Sequence, residues 1–232
     1  FFAHSMHAYF LRPGDPKRKI IYEVDPIRDG KSFTTRNVIA RQGGIAIFST
    51  SISFHIEEPG LSHQVEALQV PPPEELESDF DRWSRLATEN PGVIEPPLVH
   101  PIERKHVRPR DYLNPQPQEP QQQIWFRALG DLGDDLTRHQ TLLAFISDFG
   151  LLGSALLPHP YTGMNTDMQA ASLDHALWFH QPFRADDYLL YCLDSPIAAG
   201  ARGFSRGSFY TRDGILVAST AQESLQRIRT PN

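Results

Sequence analysis

The chain has 232 residues, 40% hydrophobic and 22% charged, with a net charge of −6. That is room for one large domain or two of roughly 100 residues. An acidic chain argues against nucleic-acid binding, no apolar run approaches the ~20 residues of a membrane span, and the single cysteine, Cys192, forms no internal disulfide. Apolar neighbours mark Cys192 as a packed thiol. The first residues show no initiator methionine and no signal peptide, and the last show no peroxisomal S-K-L-type address.

Four strands are expected first: Ala3–Arg12, Lys19–Arg28, Ser32–Arg41 and Gly44–Ile56. Turn signals separate them at Pro13-Gly14-Asp15, Asp29-Gly30 and Gln42-Gly43-Gly44. Glu57–Pro120 holds 12 of the 20 prolines. Proline cannot donate to a ladder, so this reads as a surface connector with one short helix near Glu74–Thr88. Gln121–Leu129 reads as a strand.

Asp134–Leu157 then reads as one long apolar helix capped by Asp134 and Asp135. Asp148 falls on a face with Thr141, Ala144, Phe145, Leu151 and Leu152, the side expected to meet a sheet. A carboxylate there costs several kcal/mol unless paired or hydrogen-bonded. Two readings stand: a structural aspartate holding a loop amide, or a functional site. Strands follow at Met168–His180, Tyr188–Asp194, Ala201–Thr211 and Ile215–Arg227.

The two halves are related at an offset of about 170 residues, far beyond a solenoid period. Tyr22 matches Tyr191, Gly30 matches Gly200, Arg36 matches Arg206 and Gly44 matches Gly214. In the second copy a strand and the long helix precede the shared part; in the first copy nothing does. A curved sheet without its helix exposes an apolar face, so we expect a leading strand and helix upstream of Phe1. The domains expected are a partial N-terminal unit (1–56), a Pro-rich linker (57–120) and a C-terminal unit (121–232). Where the second copy has Ser172 and Gln222, the first has Ala3 and Ile52. Groups needed only for folding would be in both copies, so the second half is expected to be the active one.

A long helix wrapped by an antiparallel sheet, twice in tandem, is an α+β double hotdog. The segments FLRPGD, RDGKSF, SLDHALWFHQPFR, ARGFSRGSFYTRDGILVASTAQE and the ISDF helix resemble the acyl-CoA thioesterase II family. The likeness runs nearly end to end outside the linker.

It implies hydrolysis of fatty acyl-CoA to free acid and CoA. Its pattern of an Asp on the helix, Ser or Thr on the next strand and Gln on the last falls on Asp148, Ser172 and Gln222. Asp148 would act as general base on a water that Ser172 and Gln222 orient. Backbone amides near the helix would serve as oxyanion donors. An acylated Ser172 ranks second, since no histidine stands at suggestive spacing. No cofactor and no metal are expected. The partners implied are acyl-CoA and CoA, with a homo-oligomer and a cytoplasmic location, or a peroxisomal one in a eukaryote.

Two other readings are weighed. A hotdog enoyl-CoA hydratase or dehydratase needs an Asp/His pair near the helix, and His139 lies more than two turns before Asp148. A non-catalytic acyl-CoA-binding protein would lack the polar trio. Other signals are set aside. Gly203–Gly207 matches G-x-S-x-G but runs on as strand, without the required strand-to-helix turn. His175, His180 and Asp174 lack metal-ligand spacing, and on a regular strand the two histidines face opposite ways; their role is read as structural or substrate-proximal. Arg202 and Arg206 suit CoA phosphates or ordinary surface ion pairs.

Overall fold

The structure, a computed structural model, describes residues 1–229. The terminal tripeptide, part of the C-terminal address considered above, lies outside them. Four strands open the chain: β1 (Phe2–Phe10), β2 (Ile21–Asp29), β3 (Phe33–Gln42) and β4 (Ile45–His55). Helix α1 (Asp79–Glu89) and strand β5 (Ile102–His106) lie in the Pro-rich region. Strand β6 (Gln121–Ala128), helices α2 (Leu136–Ile146) and α3 (Leu151–Leu156), and strands β7 (Met168–Ser172), β8 (Asp174–Phe179), β9 (Leu189–Ala199), β10 (Arg202–Thr211) and β11 (Leu216–Ile228) complete it.

The strands form one sheet in the order β2-β3-β4-β1-β8-β11-β10-β9-β6-β5, with β7 also pairing β11. Four strands on each side of the β1–β8 junction mirror one another, with β6 and β5 added beyond β9. On one side stand β1, β4, β3 and β2; on the other stand β8, β11, β10 and β9, their counterparts in the repeat. The antiparallel β1–β8 pair, with His7 opposite Ala176, joins the two copies edge to edge. Matching turns accompany the matching strands: Gly44 and Gly214 both adopt φ +81°, which a β-carbon disfavours.

The core lies where α2 and α3 press into the second copy. Leu143, Ile146 and Leu151 from the helices meet Ile124, Phe126, Leu177, Tyr191, Phe209 and Val217 from the sheet. Tyr191 and Phe209 stack with centroids 3.7 Å apart. Removing one such buried Leu or Ile to Ala costs about 2–5 kcal/mol.

Four expectations change. The long helix is broken after Ile146, where Gly150 takes φ +89° and opens α3 as its N-cap. The buried stripe is therefore Leu143, Ile146, Ser147 and Leu151, while Thr141 and Phe145 are exposed. Of the two aspartates expected to cap the helix, only Asp135 does, accepting from the Thr137 amide; Asp134 instead pairs with Arg184. The linker is not all connector. Ile102–His106 adds β5 at the edge of the sheet, because Pro101 and Pro109 bound the strand rather than interrupt it. Finally, Met168–His180 is two strands, parted at Leu173.

Candidate active site

That last break shapes the site. Ser172 pairs with Ser224 on β11, and Ala176 pairs with Ala221. Between these pairs three residues, Leu173, Asp174 and His175, stand opposite two, Gln222 and Glu223. This is a β-bulge. Asp174 secures it by accepting a hydrogen bond from the Glu223 amide at 2.7 Å. The first copy carries the same irregularity in β1, between Ala3 and Ser5. On a regular strand Ser172 and His175, three apart, would face opposite ways. The bulge shifts the phase by one residue, and both reach Gln222.

The side chains then form a single hydrogen-bond chain. Ser172 Oγ donates to Asp148 Oδ1 at 3.0 Å. Its only proton is thereby spent, so it accepts from Gln222 Nε2 at 2.9 Å. The other end of the amide, Oε1, lies 2.7 Å from His175 Nδ1. An oxygen can only accept, so His175 carries its proton on Nδ1. His175 Nε2 lies 2.8 Å from Ser147 Oγ. A neutral imidazole accepts there, so Ser147 shares its one hydroxyl proton between His175 Nε2 and the Ala144 carbonyl; the donors of His175, Gln222 and Ser172 point toward Asp148. Burial pushes the His175 pKa down, against the Gln222 hydrogen bond and the nearby Asp148 and Asp174 carboxylates.

Ser147 fixes the helix break that carries Asp148. Its carbonyl accepts from the Tyr191 hydroxyl at 2.8 Å, and its own hydroxyl also lies 2.9 Å from the Ala144 carbonyl. Burial pushes the Tyr191 phenol far up, so its hydroxyl keeps its proton as a donor. Gln222, His175 and Ser147 are buried, whereas Asp148 and Ser172 are half-buried. The two groups at the end of the chain are thus the ones that solvent partly reaches.

All three residues singled out in the sequence meet here. Asp148 sits in the turn between α2 and α3 rather than on a helical face. Sequence reasoning left His175 out of the group. The usable signal was the repeat itself: at the His175 position the first copy has Met6, and Met6 stands opposite Ile52, the counterpart of Gln222. An apolar pair in one copy is replaced by a hydrogen-bonded pair in the other.

The remaining signals resolve structurally. Ser205 lies inside β10 and donates to the Leu151 carbonyl at 2.7 Å. The flanking glycines make room: a β-carbon on Gly203 would strike Ala155, and one on Gly207 would strike Tyr191 and Thr220. His139 bonds the Gly133 carbonyl and the Ala185 amide with its two nitrogens, so it is not free to pair with Asp148. Arg202 pairs with Glu223, and Arg206 with Asp194. Burial raises the Cys192 thiol to about 11.

A cavity of about 670 Å³ lies between the linker and α3, walled by residues such as Trp83, Arg104, Tyr112, Gln122 and Leu156. It reaches Phe149 and Gly150, but Asp148, Ser172 and Gln222 are not in its wall. Beside it, burial opposes ionisation of Asp79, yet His106 and Arg104 hold its carboxyl below the usual range.

A broken helix cradled by an antiparallel sheet, with the sheet motif repeated across a β1–β8 seam, defines a double-hotdog protein. A profile described as acyl-CoA thioesterase matches residues 99–225, and one described as acyl-CoA thioesterase N-terminal domain matches residues 2–55. The chain belongs to the acyl-CoA thioesterase family. It is 41% identical to acyl-coenzyme A thioesterase 8 of Homo sapiens, over 97% of this chain and 73% of that protein. The crystal structure of acyl-CoA thioesterase II TesB2 from Mycobacterium marinum superposes with a TM-score of 0.81 at 40% identity, covering 99% of this chain and 82% of that one. A hot dog fold protein of unknown function from Alicyclobacillus acidocaldarius shares the fold at 17% identity and a TM-score of 0.72.

Proposed function

We propose that the chain hydrolyses fatty acyl-CoA to free fatty acid and CoA. Asp148 takes the proton of a water, and Ser172 and Gln222 hold that water against the thioester carbonyl. The observation that carries this reading is the hydrogen-bonded Asp148–Ser172–Gln222 group at the helix break. Ser172 already donates to Asp148 Oδ1, so a water beside the pair would find a carboxylate oxygen as its base. Water attack is favoured over an acylated Ser172, because the nearest histidine, His175, bonds Gln222 and Ser147 rather than Ser172.

The working units in this reading are residues 1–56, a silent copy, and 121–232, the active copy, bridged by 57–120. Among the described residues no helix is long and apolar enough to cross a membrane. We place the enzyme in the cytoplasm, or the peroxisome of a eukaryote, as a homo-oligomer.

The test is a free-thiol assay with acyl-CoAs of several chain lengths. Wild-type protein should release CoA, and Asp148→Asn should lose about 10²–10⁴-fold in kcat, the usual worth of a general base, with an unchanged circular dichroism spectrum. Wild-type turnover by the Asn variant would sink the assignment.

A further inference from the structure

We infer that His175 is a positioning residue that fixes which end of the Gln222 amide faces Ser172. The inference rests on the water-attack reading above. The two ends of a glutamine amide have nearly the same shape, so packing alone does not choose between them. Here the choice matters. Ser172 spends its proton on Asp148 and needs a donor opposite it. Gln222 must therefore present Nε2, not Oε1. His175 Nδ1–H enforces this by donating to Oε1 at 2.7 Å. In the flipped amide, Nε2 would meet the Nδ1 proton, and Oε1 would meet the Ser172 lone pairs. The Ser172 contact would be lost in a part-buried setting, and the His175 contact would survive only with the ring proton moved to Nε2, against Ser147.

Three further observations support the role. His175 is buried and all its polar contacts belong to the chain: Gln222 on one nitrogen, Ser147 on the other. Through Ser147 it also grips the turn that holds Asp148, so one ring spans both ends of the site. The bulge at Leu173–His175 is what turns the ring toward Gln222. In the silent copy the bulge persists, yet Met6 and Ile52 fill the corresponding places. The irregular backbone alone therefore does not require a histidine.

The test compares three variants in the thiol-release assay, each first shown folded by circular dichroism and thermal melting. His175→Asn places an amide N–H near the position of Nδ1. His175→Gln carries its amide farther out, near the position of Nε2. His175→Phe fills the space with no donor. We expect Phe and Gln to lose about 10²-fold in kcat, Asn to return to within about 10-fold of wild type, and KM to stay within about threefold throughout. A folded Phe variant with wild-type kcat overturns the inference. So does an Asn variant as slow as the Gln variant, which also decides the matter if Phe does not fold. Asp148→Asn is run alongside. If it turns over normally, the water-attack reading fails and the His175 role falls with it; if it is inactive while the His175 variants are normal, only the His175 role fails.

Discussion

Met6 and His175 hold the same place in the two copies of one sheet motif, just beyond the same bulge. Met6 stands opposite Ile52, while His175 donates to Gln222, the residue in the Ile52 position. One copy closes this spot with side-chain packing; the other closes it with a polar chain that ends on a carboxylate.

The chain has a pH signature. Burial lowers the His175 pKa in the folded state, so below its ordinary value of 6.5 the unfolded chain holds a proton that the native protein lacks. This contribution to stability is complete above pH 6.5 and declines as pH falls toward the folded pKa, by at most about 1.4 kcal/mol per pH unit. Melting followed from pH 7.5 to 5.5 should show a steeper loss for wild type than for His175→Asn. His4 and His180, also lowered mainly by burial, titrate in both proteins and cancel. Parallel curves would show that His175 takes up its proton equally when folded.

Ser172 separates two chemistries. If it orients a water, Ser172→Thr keeps the hydroxyl and most of the activity. Ser172→Ala should then lose about 10²-fold by misplacing the water. If it were an acylated nucleophile, Ser172→Ala would fall to background, and rapid quenching of wild type would trap an acyl-enzyme. We expect no such intermediate.

Ser205 should prove structural. Ser205→Ala leaves the Leu151 carbonyl without its partner in a buried setting, costing about 1–3 kcal/mol. Thermal melting should report that loss, with kcat within a few-fold of wild type. A stable but inactive Ser205→Ala protein would return G-x-S-x-G to consideration.

Gly150 holds the helix break open. A β-carbon there would lie 3.2 Å from Ile124 Cδ1, on a backbone at φ +89°. Gly150→Val should cost about 1–3 kcal/mol from the strained backbone. Because Asp148 is two residues away, kcat should fall as well. A variant that melts and turns over like wild type would show that the break does not depend on this conformation.

Much of the fold and site is legible in residue order, and for identifiable reasons. The strands of both copies follow from alternation bounded by turn residues, and the repeat aligns one set with the other. Asp148, Ser172 and Gln222 stand out as polar residues absent from their counterparts or set in apolar surroundings. What stays hidden depends on backbone phase. The periodicity of Asp134–Leu157 reads as one helix, because neither of its glycines, Gly150 and Gly153, announces a left-handed turn by itself. A bulge leaves no mark in composition, so simple alternation puts His175 on the wrong face. β5 is masked by the prolines that bound it.

The bulge makes the site a matter of counting. Ser172 and His175 share a face only because one extra residue lies between their ladder pairs. Adding a residue to β11 between Gln222 and Glu223 would do more than lengthen a strand: three residues would then stand opposite three, regular alternation would return, and Ser172 and His175, three apart, would point to opposite sides of the sheet. The site can thus be switched off without altering any member of the Asp148–Ser172–Gln222 group. Because the first copy keeps the bulge around Met6 and Ile52, this backbone phase does not depend on the polar residues that occupy it in the second copy.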